Sequence, residues 1–211
     1  MTLKIALTKG RIEKQVSQLL QTAGLDIAPL KNKERKLIIP LASGQYEFIL
    51  AKGPDVLTYL ENGVVDLGIV GRDCLLEEEN TNPELLDLKV GKCRFILAAP
   101  AGFDQNAPGR KVIASKYPHV AQKYFASQGL DVEVIKIEGS VELAPLINLA
   151  DGIIDITETG TTLRENNLEI YANLDEISTR LVANPLALKH KRSEILTLID
   201  KLTTVIKEDQ A

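Results

Sequence analysis

A chain of 211 residues that is 45% hydrophobic and 26% charged can bury a real core, and its length suits one large domain or two small lobes. A net charge of −4 gives no global support for non-specific nucleic-acid binding, so any anion site must be local. No apolar run approaches the roughly 20 residues of a membrane span and MTLKIALTKG lacks a signal-peptide pattern, so a cytoplasmic protein is expected, with no membrane partner.

Cys74 and Cys93 read as reduced thiols, too few for a structural zinc site, and His119 and His190 sit in no metal-ligand spacing, so no protein-held metal is expected. Along the chain, apolar runs of strand length alternate with helical periodicity. KIAL leads into a helix from about Arg11 to Thr22, with Ile12, Val16, Leu19 and Leu20 on one stripe and Gly24 at its stop. LIIPL and YEFILA follow, then a helix opening at Gly53-Pro54-Asp55 and the run from Val64 to Val70. RFILAAP, KVIAS, a helix near Tyr117 to Ser127, VEVIKI, a helix opening at Ser140, and GIIDIT continue the alternation, and Lys189 to Lys207 reads as a closing helix. That order predicts an α/β fold in which helices cover mostly parallel strands.

The two halves echo one another. IALTK and the later AGLDI recur as IASK and QGLDV, and GPDVLTYL with GVVDLGIVG recurs as GSVELAPL with GIIDITETG. Chance produces such echoes in any α/β chain. Taken as real, the echo predicts two similar lobes with a ligand cleft between them. Lobe I covers residues 1–92 and is completed by 173–211 returning to it, and lobe II covers 93–172.

DITETGTTL, Asp155 to Leu163, ends an apolar run with four threonines around one glycine. A strand that stops at a loop of small residues and then enters a helix offers unpaired backbone N–H groups at the positive end of a helix dipole, an anion seat. Gly160 lets the backbone approach a ligand, while Thr157, Thr159, Thr161 and Thr162 add hydroxyl donors. Asp155 and Glu158 repel a bare phosphate but suit a sugar phosphate, whose hydroxyls need acceptors. The plainer alternative is a turn and an N-cap before LRENN. Neither a Walker loop nor a dinucleotide fingerprint is present.

In TKGRIEK, Thr8 to Lys14, Lys9 and Arg11 flank Gly10 where the first strand becomes a helix. Two cations and free backbone donors converge there, and a polyphosphate fits, although cations also snorkel at any exposed helix start. In KNKERK, Lys31, Lys33 and Lys36 read as a solvated loop. Arg35, beside LIIP, is expected to be fixed by that strand and so able to stabilise a departing diphosphate.

TKGR, GVVDLGIVGRD, ASKYPHVAQKYF, and EGSVELAP followed by ADGIIDITETGTTLRENNLE together resemble ATP phosphoribosyltransferases, over nearly the whole chain and most specifically from Glu142 to Leu163. Glu142, Asp155, Thr159, Gly160, Thr162 and Leu163 keep the family pattern, while Asn148 stands where it usually has Gly, a departure expected to touch only helix packing before the loop. The resemblance implies a two-lobed, periplasmic-binding-protein-like (type II) fold. It implies the first reaction of histidine biosynthesis, which joins N1 of ATP to C1 of phosphoribosyl pyrophosphate (PRPP) and releases pyrophosphate. It also implies the short form of the family, and hence a separate regulatory subunit related to histidyl-tRNA synthetase in a hetero-oligomer, a hetero-octamer.

On that resemblance Thr159 to Thr162 hold the 5′-phosphate of PRPP beside Thr157 and Glu158, and Asp155 takes a ribose hydroxyl, with Glu138 and Asp151 as further candidates. Lys9, Arg11 and Arg35 are the catalytic cations that meet the diphosphate or the ATP phosphates, and Gly10, Lys116 and Tyr117 line the ATP side. Mg2+ is expected to arrive with the substrates. Two rival readings share the anion seat. One is a non-catalytic two-lobed ligand-binding or regulatory paralogue, against which the cations stand. The other is a phosphoribosyltransferase acting on a free base, which a comparison of ATP with adenine separates.

Overall fold

The structure, a computed structural model, describes residues 2–41 and 44–208. The chain divides into two compact units, the first made of Met1–Leu75, Glu79–Gly91 and Ser178–Ala211, the second of Leu76–Glu78 and Lys92–Ile177. The sequence pattern puts the return at residue 173. The chain returns at Ser178, because the last strand of the second unit stays paired as far as Ile177, opposite Cys93. Residues 1 and 209–211, the ends of the expected lobe I, lie outside the described residues.

In the first unit β1 (Leu3–Thr8) passes through Gly10 into α1 (Arg11–Thr22) and α2 (Ala28–Lys31). Then come β2 (Ile38–Leu41), β3 (Tyr46–Ala51), α3 (Gly53–Glu61), β4 (Leu67–Gly71), α4 (Arg72–Glu77), whose end counts with the second unit, and β5 (Glu84–Asp87). Alternation along β1 sends Leu3, Ile5 and Leu7 into a core with Val16, Leu19 and Leu20 of α1, while Ala6 faces Val56, Leu57 and Leu60 of α3. Both faces of the sheet are therefore covered.

The second unit holds β6 (Cys93–Pro100), β7 (Lys111–Ser115), α5 (Pro118–Ser127), β8 (Val132–Lys136), α6 (Leu143–Leu146), β9 (Gly152–Thr157), α7 (Thr161–Glu165) and β10 (Leu168–Ile177). Here Phe95 and Leu97 pack with Val120, Ala121 and Phe125 of α5, and Ile96 and Ala98 pack on the other face with Val141, Ala144 and Leu163. The first unit is then completed by β11 (Thr179–Ala183), α8 (Pro185–His190) and α9 (Arg192–Glu208).

The sheet orders are β2-β3-β1-β4-β11-β5 and β10-β6-β9-β7-β8. Each unit thus repeats one pattern, β3-β1-β4-β11 and β8-β7-β9-β6, in which three parallel strands are followed by an antiparallel one. Among the described residues five of the nine strand pairings are antiparallel, which corrects the expectation of mostly parallel sheets. Parallel pairing is confined to strands joined by helical crossovers, whereas β11 and β6 enter their sheets from the opposite direction.

Register also revises the echo. Ile5 pairs with Leu67 and Ile113 with Gly152, so Asp66 corresponds to Asp151, not to Asp155. Each of these two carboxylates accepts from a backbone N–H of the central strand, Lys4 at 2.8 Å and Val112 at 2.7 Å.

Two helices differ from the sequence reading. The segment from Ser140 turns through bonds from Leu143 to Ser140 and from Ala144 to Val141, and only Leu143–Leu146 is α-helical. The closing helix breaks at Lys191, because Asn184 and Pro185 start a separate short helix and the Lys191 ammonium is drawn to Asp66 at 2.7 Å. Cys74 and Cys93 are unbridged. No helix among the described residues is long and apolar enough to cross a membrane.

Candidate active site

β9 ends at Thr157, and the chain turns through Glu158, Thr159 and Gly160 into α7. Gly160 has φ 72°, a left-handed conformation that a residue with a Cβ adopts only with strain. Its N–H donates to Thr157 Oγ1 at 2.9 Å, and the Thr159 and Thr161 hydroxyls lie 3.0 Å apart. Leu163, buried among Ile96, Ile153 and Leu168, pins the start of α7 to the sheet. The loop is therefore held from below by packing and across by its own hydroxyls.

This loop closes one side of a cavity of about 210 Å³. Asp155, Thr157, Glu158, Thr159, Thr161 and Thr162 line it, so six of the predicted PRPP residues are brought together around one space, with Gly160 shaping their turn. α7 is only five residues long, so its dipole is smaller than the sequence reading assumed. The donors the loop offers are directed groups: the first-turn N–H groups, which have no intrahelical acceptor, and the threonine hydroxyls. Asp155 Oδ1 accepts from the N–H of Ile156 at 2.8 Å, which turns the carboxylate along the strand.

Two further residues belong to this place. Glu142, the N-cap of α6, lines the cavity, and Arg164 reaches Thr161 Oγ1 at 3.2 Å. The spacing of Thr161 and Arg164, three apart on a helix, was a readable signal. Nothing local in the sequence brings Glu142 across to β9.

Other predicted residues lie elsewhere. Asp151 precedes β9, at the opposite end from the loop, and six residues of strand span about 20 Å. Its carboxylate accepts from Val112. Glu138 is exposed and pairs with Lys136 at 3.0 Å, raising that ammonium's pKa chiefly through their hydrogen bond, and it does not line the cavity. Tyr117 is buried and meets Phe95 edge-on at 5.0 Å, a core position that corrects its placement on the ATP side. Lys116 is exposed, its ammonium 6.0 Å from the Tyr117 ring.

In the first unit Lys9, Gly10 and Arg11 are exposed at the junction of β1 and α1. Gly10, at φ 89° and ψ −126°, makes the sharp entry that presents both neighbours. Arg35 is also exposed, but it sits in a turn before β2, which begins at Ile38, so the strand does not fix it. Lys33, expected to be solvated, is instead paired with Glu13.

The sequence profile of the ATP phosphoribosyltransferase family (HisG) matches residues 52–204. A relative from Lactiplantibacillus plantarum called ATP phosphoribosyltransferase is 61% identical, covering 97% of this chain and 94% of its own. One of the same name from Listeria monocytogenes serotype 4b is 53% identical, covering 99% and 98%. Among solved structures, the ATP phosphoribosyl transferase (HisG:HisZ) complex from Thermotoga maritima superposes with a TM-score of 0.84 and 38% identity over 98% of this chain and 99% of that one. The periplasmic aliphatic sulphonate binding protein SsuA from Escherichia coli aligns with a TM-score of 0.62 and 12% identity over 97% of this chain and 72% of that one, a likeness of fold alone.

Proposed function

Because this chain belongs to the ATP phosphoribosyltransferase family, we propose that Thr159 to Thr162 hold the 5′-phosphate of PRPP and that Asp155 accepts from a ribose hydroxyl. The reaction is the first step of histidine biosynthesis: N1 of ATP is joined to C1 of PRPP, giving phosphoribosyl-ATP and pyrophosphate. The observation that carries the assignment is the cavity of about 210 Å³, where threonine hydroxyls and carboxylates face one space. Hydroxyls and N–H groups suit a phosphate, and carboxylates suit a pentose.

As the bond to the leaving group breaks, positive charge grows on the sugar and negative charge on the diphosphate, so fixed donors and position matter more than a nucleophilic side chain. Lys9, Arg11 and Arg35 meet the diphosphate or the ATP phosphates, and Gly10 and Lys116 line the ATP side. Glu142 is a second acceptor for the sugar and takes the place given to Glu138 and Asp151. Magnesium enters with the substrate phosphates, whose charge it offsets; among the described residues no group of three acids, histidines or cysteines is placed to cage it. The chain works in the cytoplasm, where ATP is made. It assembles with a separate regulatory subunit in a hetero-oligomer, a reading supported by the T. maritima relative, solved as a HisG:HisZ complex.

Thr162→Ala tests the loop. Losing one hydrogen bond to a charged group is expected to weaken PRPP binding about tenfold or more, measured by calorimetry, with ATP affinity unchanged. Unaltered PRPP affinity would reassign the loop to structure.

A further inference from the structure

Glu13 is the one charged residue among the described residues that is buried, with 8% of its surface exposed. It lies at the start of α1 rather than in a core. One carboxylate oxygen accepts from the Gly10 N–H at 3.3 Å, and the other is ion-paired with the Lys33 ammonium. Lys33 opens a turn closed by the Lys36 N–H donating to the Lys33 carbonyl at 2.9 Å, and Glu34, at φ 51°, and Arg35 are its two central residues. The anchor of Arg35 is thus this turn, tied through Lys33 to Glu13. The same carboxylate fixes the Gly10 entry that presents Lys9 and Arg11.

Resting on the reading of Lys9, Arg11 and Arg35 as the cations that meet the phosphates, we propose that Glu13 and Lys33 are positioning residues for phosphoribosyl transfer. The pair does two things. It orients both cation-bearing segments from one buried point, and Lys33 cancels a carboxylate charge that would otherwise repel the incoming diphosphate. Burying the Glu13 carboxylate against a half-buried ammonium is a poor way merely to tie down a loop, since apolar side chains do so without desolvation. What the ion pair adds is fixed geometry, which matters where charge develops in a transition state.

The charge-cancelling role predicts an asymmetry. Lys33→Met leaves Glu13 unpaired beside the phosphates, whereas adding Glu13→Gln removes the offending charge. With the regulatory subunit present, Lys33→Met is expected to lower kcat between about tenfold and about a hundredfold with KM values within about threefold, and the double variant to recover at least about fivefold. Thermal melts accompany each assay. Should Lys33→Met fail to fold, Glu13→Asp keeps both charges but withdraws the carboxylate by one methylene, and a tenfold loss of kcat at unchanged melting temperature is expected, about what a small misplacement costs. Wild-type kcat in Lys33→Met or, where that does not fold, in Glu13→Asp would overturn the positioning role, and a double variant no better than Lys33→Met would overturn the charge-cancelling role. Arg35→Ala separates the two layers: a wild-type rate there removes the cation assignment itself, and an impaired one leaves it standing while the pair is judged alone.

Discussion

Asn148 follows the C-cap Ile147 of α6 at φ 55°, with the Asn148 N–H donating to Pro145 and the Leu149 N–H to Ala144. This is a Schellman stop, the same geometry Gly24 makes after α1, where Gly24 bonds to Gln21 and Leu25 to Leu20. The residue therefore lies past the helix and not within it, as the sequence reading had it, and the glycine of the family pattern has a conformational cause. Asparagine tolerates the left-handed region better than other residues with a Cβ. Asn148→Gly is expected to raise unfolding stability by a few tenths of a kcal/mol, and Asn148→Ala to lower it by about 1 kcal/mol in urea titrations. Equal stabilities would show that the turn is indifferent to its backbone angles.

Among elements, the parallel trios β3-β1-β4 and β8-β7-β9 each have, just before the last-named strand, an aspartate that clasps the central one, Asp66 to Lys4 and Asp151 to Val112. Read by spacing alone, Asp66 matches Asp155, four residues too far along. Only the register sorts the acids of the second unit into a clasp, Asp151, and a cavity wall, Asp155. Asp151→Ala is accordingly expected to cost about 1 kcal/mol of stability, the worth of one ordinary hydrogen bond, and to leave PRPP affinity intact. A tenfold loss of affinity with unchanged stability would return Asp151 to the site.

At the scale of the whole molecule, the chain leaves the first unit after Gly91 and re-enters it at Ser178, and these strands are stitched by Leu88 donating to Thr179 and Thr179 to Val90. Asp87 sits at this stitch. Burial opposes its ionisation, but hydrogen bonds from Lys89 and Ser178 and the Arg180 guanidinium outweigh that and hold its carboxyl below the usual aspartate range. A lowered folded pKa stabilises the protein above the unfolded value of ~3.9 and loses that contribution as pH falls through the folded value. Asp87→Asn should therefore destabilise the protein at pH 7, and the gap from wild type should shrink as acid denaturation curves are taken below that value. A gap independent of pH would rule out the charge as its source. Residue order was enough to give the α/β class, the first helix, the strand-to-loop passage at Gly160 and the threonine set, because periodicity, caps and turn chemistry act over a few neighbours. Tertiary structure alone decided which strands run antiparallel, that Asp151 clasps Val112, that Glu142 joins the cavity lining, that Tyr117 is core, and that Lys33 is bound rather than solvated. Those depend on pairing and burial between segments distant in the sequence, as with Lys33 and Glu13 at 20 residues and Lys4 and Asp66 at 62, separations over which local preference carries no information.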